Sequence, residues 1–141
     1  MSGSALDLKH IRSKYKDRML QLAFVVSGWS PEPEGQRHGA VLALDGKYIV
    51  ATGFNGPDRS WPGYKSAPMP GCGGSCCEPE TVHAEPNALL NARTLGIDLS
   101  RCVMFVTKKP CAGCQAEIEA AGVQACFWLQ DVGEDRGQWT R

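Results

Sequence analysis

Two short motifs in this chain contain the residue types that bind zinc and carry protons. The first is HAE, with His83 and Glu85 two residues apart, and the second is PCAGC, with Cys111 and Cys114. Thiolates and imidazoles are preferred zinc ligands, and three of them leave the fourth position of a tetrahedral site open for water. Zinc lowers the pKa of bound water to roughly 7, and a nearby carboxylate can act as general base and then as general acid. We therefore predict that His83, Cys111 and Cys114 bind a catalytic zinc and that Glu85 carries protons.

Each motif on its own also has an ordinary explanation. A CxxC pair can be a redox pair or half of a structural zinc site, and a lone HxE is usually just the start of a helix. A structural zinc needs four ligands, whereas only three are obvious here. The combination of H-x-E with P-C-x-x-C is the signature of the zinc deaminases, which favours the catalytic interpretation.

The apolar pattern predicts the elements that position these residues, in the order α-β-β-α-β-α-β. Asp45-Gly46 between two apolar runs predicts a hairpin, and Gly96 and Gly122 end the second and third helices. Residues 55–80 form a long loop, and the polar tail after residue 130, which includes Trp139, is expected to be irregular. The predicted helices are residues 5–27, 83–95 and 111–121, and the predicted strands are residues 39–44, 48–53, 102–107 and 123–130.

This order of elements predicts a single α/β domain over residues 1–141. Strands that alternate with helices favour parallel pairing and helices on both faces of a sheet, which gives three layers. His83 and Cys111 each stand at a predicted helix start. Two helix N-termini that meet over the carboxyl ends of strands would bring the three ligands together.

Composition limits the classes of partner. Fifteen basic and fifteen acidic residues give a formal net charge of zero, whereas a nucleic-acid polymer usually selects a basic face. The chain has no run of eighteen apolar residues, so no membrane span is expected, and the polar N-terminus lacks the apolar segment of a signal peptide. Seven cysteines in a chain without a secretory signal favour metal binding over disulfides. We expect a cytoplasmic protein.

Longer stretches around the two motifs resemble a known family. The segments HAEPNALL and FVTKKPCAGCQAEIEAAGV are similar to the cytidine deaminase superfamily, and HGAVLALDGKYIVATGFNG with SPEP most resembles its deoxycytidylate (dCMP) deaminase family. The resemblance covers about residues 6–130. It implies a three-layer α-β-α fold with a mixed central sheet, in which a β-hairpin precedes β-α-β units. It also implies a zinc-dependent hydrolytic deaminase that converts dCMP to dUMP and ammonia.

The resemblance also implies roles for residues around the zinc site. The backbone of Ala84 is expected to contact the pyrimidine, and Asn55 the sugar or phosphate of the nucleotide. In the family, the loop before the hairpin commonly carries a basic residue that can bind a 5′-phosphate. The loop here differs from that pattern, and Arg37 and Arg59 are the candidates for this role. Some relatives use a Gly-aromatic-Asn-Gly motif in a site for the activator dCTP, opposed by dTTP, and form homo-oligomers. The matching effector residues here are Gly53, Phe54, Asn55 and Gly56.

The other cysteines fall into two groups. Cys72, Cys76 and Cys77 lie in the long loop and are candidate ligands of a second, structural zinc, with free thiols as the alternative. Cys102 and Cys126 lie within apolar strands, where cysteine is usually a small core residue.

Three other functions remain open from the sequence. The first is deamination of another small molecule: a modified dCMP, cytidine, deoxycytidine or a non-nucleoside amine. The second is deamination of a flipped base in a polynucleotide, which the zero net charge disfavours. The third is a zinc module without catalysis, against which Glu85 and the missing fourth ligand argue.

Overall fold

The computed structural model describes residues 13–56, 82–129 and 137–140. All seven predicted elements are present there, with described boundaries shifted by two residues or fewer, and the predicted start of the first helix lies outside these ranges. The elements are α1 Ser13–Ser27, β1 Gly39–Leu44, β2 Tyr48–Phe54, α2 Ala84–Thr94, a 3-10 turn Leu99–Arg101, β3 Cys102–Val106, α3 Ala112–Ala120, β4 Ala125–Trp128 and β5 Gly137–Thr140.

The strands form one mixed sheet in the order β2-β1-β3-β4-β5. Strand β1 pairs antiparallel with both β2 and β3, β3 pairs parallel with β4, and β4 pairs antiparallel with β5. The parallel pair is the one joined through α3, as expected for a crossover connection. The carboxyl ends of β3 and β4 therefore lie at the same end of the sheet as the first residues of β1.

The β1–β2 hairpin forms at the predicted Asp-Gly pair. Asp45 has φ 55° and Gly46 has φ 71°, and the N–H of Lys47 donates to the carbonyl of Leu44 at 3.0 Å. Positive φ at both central residues defines a type I′ turn, whose twist matches that of the two strands. The hairpin prediction is confirmed.

Two apolar layers lie on opposite faces of the sheet. Alternate residues of each central strand point to opposite faces, so β1 contributes Leu42 to one layer and Val41 to the other, and β3 likewise contributes Met104 and Phe105. Helix α1 covers the Val41 face, whereas α2 and α3 cover the Leu42 face. The three-layer α-β-α arrangement is therefore confirmed.

The C-terminal tail corrects one expectation. Residues 137–140 are not irregular but form β5 along the outer edge of β4, with Trp139 facing Cys126 in the register. Gly137 lies opposite Trp128, and any Cβ at this position would run into the Trp128 indole. Burial alternates along β5, with Gln138 and Thr140 exposed. A strand of four residues with half its side chains in water has too little apolar pattern to stand out in the sequence.

Candidate active site

His83 and Cys111 are the N-cap residues of α2 and α3. Their backbones are extended, with φ −65° and ψ 161° at His83 and φ −68° and ψ 167° at Cys111, and neither side chain caps its own helix. Both side chains are thus available beyond the helix ends, toward the positive end of each helix dipole. Cys114 lies in the first turn of α3 and is fully buried.

The three predicted ligands converge. Their donor atoms all lie within 4.8 Å of one another. The His83 Nδ1 atom is 3.0 Å from the Cys114 Sγ and 3.7 Å from the Cys111 Sγ. One imidazole nitrogen therefore faces both sulfurs, as ligands of a common metal ion must.

The chemistry of this cluster fits a divalent cation. Burial, followed by the nearby Glu85 carboxyl and the Cys111 thiol, raises the pKa of Cys114 far above the ordinary cysteine range in the metal-free protein. Three groups that become anionic on deprotonation are thus packed together with one imidazole. A metal ion would offset the electrostatic repulsion among these groups, because its positive charge stabilises the deprotonated thiols that coordinate it. Two sulfurs and one nitrogen are ligands that zinc accepts readily.

Glu85 lies beside the three donors, in the first turn of α2. Its side chain is only 7% exposed. Burial raises the pKa of this carboxyl to about 7, although hydrogen bonds from its own backbone N–H and from the Cys114 thiol act in the opposite direction. A carboxyl in this range can both accept and release a proton near neutral pH.

The N-terminus of α2 is held directly against β2. A Cβ built on Gly53 would lie 2.5 Å from the Ala84 carbonyl oxygen, so the first helical turn rests on bare backbone. Asn87 Nδ2 donates to the Phe54 carbonyl at 2.8 Å, and Asn91 Nδ2 donates to the Thr52 carbonyl at 2.7 Å. The spacing of four between the two asparagines places them on one helix face.

Asn55 is buried, with 3% exposure, and its amide organises the loop before β1. Its Oδ1 accepts from the His38 N–H at 2.8 Å, and its Nδ2 donates to the Gln36 carbonyl at 2.7 Å. Between these two residues, Arg37 is exposed, and its Nε donates to the Glu32 carbonyl at 2.7 Å. The predicted nucleotide contacts of Asn55, Arg37 and the Ala84 backbone stay predictions.

The predicted effector residues divide into two groups. Gly53 and Phe54 line a cavity of about 470 Å³ between the outer edge of β2 and α2. Asn55 lies inward as described above, and Gly56 pairs with Val82 in an isolated bridge. The remaining lining residues are Trp29, Thr52, Asn87, Leu90, Asn91 and Thr94.

The other predicted residues fall outside the site or outside the described ranges. Cys102 and Cys126 are fully buried in strands, as predicted, and burial raises the pKa of Cys102 to about 11. Arg59 lies outside the described residues, as do the three candidate ligands of the second zinc, Cys72, Cys76 and Cys77. Among the described helices, none combines the length and the apolar composition that crossing a membrane requires.

Known proteins have similar sequences and a similar fold. The family model of the cytidine and deoxycytidylate deaminase zinc-binding region matches residues 13–130. An uncharacterized deaminase in the luxG 3′ region of Aliivibrio fischeri is 32% identical over 127 residues, which are 90% of this chain and 80% of that protein.

Two crystal structures of the dCMP deaminase from the cyanophage S-TIM5 have a similar fold. The apo form superposes with a TM-score of 0.68 at 23% identity and covers 86% of this chain and 87% of that one. The complex with dCMP and dUMP has a TM-score of 0.68 at 24% identity and covers 84% and 83%. At such identities the structural similarity establishes the fold alone. The family match extends over both the histidine and the cysteine motifs. The chain belongs to the cytidine and deoxycytidylate deaminase family.

Proposed function

We propose that this protein deaminates dCMP hydrolytically to dUMP and ammonia. The observation that carries the proposal is the cluster of His83, Cys111 and Cys114, whose donor atoms lie within 4.8 Å of one another, beside the buried carboxyl of Glu85. A redox pair or a structural site would not need a carboxyl with a pKa near 7 in contact with the ligands. Such a carboxyl is the feature that hydrolytic deamination requires.

His83 through Nδ1, and Cys111 and Cys114 through their sulfurs, would hold the zinc ion. When bound, zinc supplies an acidified water and a Lewis acid next to the carbon that loses its amine. Glu85 takes a proton from the attacking water and delivers it to N3 of the cytosine ring. Glu85 then takes the remaining proton of the added hydroxyl group and passes it to the amine, so that the carbon–nitrogen bond breaks, the carbonyl forms and ammonia leaves. The burial of Glu85 keeps bulk water from competing for these protons.

The choice of dCMP rests on the family resemblance, and two observations support it. The similarly folded cyanophage enzyme was crystallised with dCMP and dUMP. In this chain Arg37 is exposed on a loop that the Asn55 amide anchors. We propose that Asn55 orders this loop for the nucleotide, that Arg37 approaches the phosphate, and that Arg59 adds a second cation.

Cytidine or deoxycytidine is the second candidate substrate, because the matching family model includes cytidine deaminases. Ammonia release from dCMP, cytidine, deoxycytidine, dCTP and 5-substituted dCMP distinguishes the two. Fastest turnover of dCMP is the expected result. Faster turnover of cytidine or deoxycytidine would show that a nucleoside, and not dCMP, is the substrate. Release of ammonia from none of these compounds would contradict cytosine deamination.

We also propose that dCTP activates the enzyme, that dTTP opposes it, and that the chain forms homo-oligomers. Gly53 and Phe54 line a cavity of about 470 Å³, which is large enough for a small ligand. A rate of dCMP deamination that rises with dCTP and falls with dTTP is the expected result. Sedimentation with and without dCTP measures the assembly. A rate that neither nucleotide changes would remove the effector proposal.

A further inference from the structure

The outer edge of β2 makes a series of hydrogen bonds to the chain around His83. Strand β2 comes first in the sheet order, so one of its edges pairs with none of the described strands. The backbone groups of Phe54 and Gly56 point to this edge, because Asn55 between them donates its N–H to the His38 carbonyl at 3.3 Å on the side of β1. Both residues bond the segment that contains the candidate metal ligand.

These bonds lie on both sides of His83 along the chain. Before it, Val82 and Gly56 exchange two backbone hydrogen bonds, of 2.8 and 3.0 Å. After it, Asn87 donates its backbone N–H to the His83 carbonyl at 3.3 Å and its side-chain Nδ2 to the Phe54 carbonyl at 2.8 Å. The first turn of α2 is thus attached to the end of β2 both before and after the candidate ligand.

The apolar face of α2 gives less control over the position of this turn. Its buried apolar side chains are three alanines and one leucine: Ala84, Ala88, Ala92 and Leu89. Methyl groups let the helix approach the sheet closely, but they interlock little with it. Burial of apolar surface is also non-directional, whereas a hydrogen bond weakens steeply when its length or angle changes. The Asn87 amide is therefore well suited to fix where the first turn stands along β2.

Asn91 makes the same kind of bond one helical turn further on, where its Nδ2 donates to the Thr52 carbonyl at 2.7 Å. Both amides cover the edge of β2, and a covered edge is protected from pairing with other chains. The two differ in what lies beside them. Asn87 adjoins the turn that contains Glu85, whereas Asn91 belongs to the last turn of α2. A role in edge protection is thus shared, and a role in the candidate active site belongs to Asn87.

We propose that Asn87 is a positioning residue, whose bond to Phe54 holds His83 and Glu85 in the arrangement that binds zinc and carries protons. This inference rests on the proposed deamination. Replacing residues that orient metal ligands from outside typically costs roughly 10–100-fold in metal affinity or activity. A displacement of about 1 Å can cost a reaction about 10²-fold. Loss of the bond should therefore weaken zinc binding and lower kcat.

Zinc affinity tests this role without any substrate. Asn87→Ala and Asn87→Leu both remove the donor, and both introduce good helix formers, with Asn91→Ala and Asn91→Leu as matched controls. Metal-free proteins are titrated with zinc in competition with a chelator, and urea unfolding shows which variants are folded in that state. We expect zinc affinity to fall by about tenfold or more in the Asn87 variants and to stay unchanged in the Asn91 variants, even where the urea midpoints fall alike.

Turnover of dCMP by the zinc-saturated proteins, without added dCTP or dTTP, gives the second measurement. The Asn87 variants should lose about tenfold or more in kcat with little change in KM, because the bond acts through Glu85 and the ligands. Equal losses of zinc affinity at both positions, or no loss at Asn87, would overturn the positioning role. If the unsubstituted protein releases ammonia from no cytosine compound, the proposed function fails, and the zinc titration still decides whether Asn87 positions the ligands.

Discussion

His83 and Cys111 hold the same position in two different helices, and the His83 Nδ1 atom lies 3.7 Å from the Cys111 sulfur. Each is the extended N-cap residue that precedes the first helical turn. The candidate metal site is therefore formed by two helix N-termini and needs both helices to be docked on the same face of the sheet. A change that displaces either helix should affect the site even when it removes no ligand.

Removal of one ligand should abolish zinc binding. Cys114→Ala leaves two donors, too few to hold zinc firmly, so we expect metal analysis of the purified protein to find no zinc in this site. Cys126→Ala is the matched control, because it also removes a fully buried thiol but no predicted ligand. Undiminished zinc in Cys114→Ala protein, or an equal loss in both variants, would contradict the assignment.

The number of zinc ions per chain tests the second predicted site. If Cys72, Cys76 and Cys77 bind a structural zinc, the unsubstituted protein should contain two zinc ions per chain, and the Cys72→Ser/Cys76→Ser/Cys77→Ser variant should contain one. Deamination should persist in the variant where it still folds, since the catalytic ligands are intact. A single zinc ion in the unsubstituted protein would show that these cysteines are not a zinc site.

Gly53→Ala should displace α2 and with it His83 and Glu85. The new methyl group would lie 2.5 Å from the Ala84 carbonyl oxygen, and overpacking of this kind costs about 1–3 kcal/mol of unfolding free energy. We expect a lower urea midpoint and a lower deamination rate. Gly28→Ala is the control, because its methyl group would lie 3.2 Å from the nearest atom, the Val25 carbonyl oxygen. Equal stability of the two variants would contradict the close packing of α2 on β2.

Asp98 should contribute a pH-dependent part of the stability. Hydrogen bonds from the Ser100 hydroxyl and then from the Ser100 N–H hold the pKa of this carboxyl below the ordinary aspartate value. Because its pKa is depressed in the folded state, the ionised carboxylate stabilises the fold at pH values above the unfolded-state pKa of about 3.9. This stabilisation is lost as the pH falls through the folded-state pKa. Asp98→Asn should therefore be less stable than the unsubstituted protein at pH 7. The difference in urea midpoint should shrink toward pH 3, and a difference that does not change with pH would contradict this account.

The two motifs could be read from the sequence because each is local. HxE and PCxxC each fall within one helical turn, and a helix start fixes where its first side chains point. Likewise, the Asp45-Gly46 turn was predictable because it depends on the φ values of two adjacent residues. The three candidate zinc ligands are therefore predictable from the sequence alone.

Features that depend on long-range pairing could not be predicted in the same way. Strand β5 was missed because its pairing with β4 involves Gly137 opposite Trp128, a contact that leaves no periodic pattern in the sequence. The hydrogen bonds of the Asn55 amide with the backbone at Gln36 and His38 join residues that are 19 and 17 positions apart, so no local pattern in the sequence reveals them.

The central claim is that Glu85 carries protons beside a zinc ion held by His83, Cys111 and Cys114. Glu85→Gln keeps the size of the side chain but removes its ability to exchange protons, and zinc content and ammonia release from dCMP can be measured on the same preparation. We predict unchanged zinc and a fall in deamination rate of about 10²-fold or more, the usual scale of general acid–base catalysis. A variant that keeps its zinc and still releases ammonia at the rate of the unsubstituted protein would contradict the account.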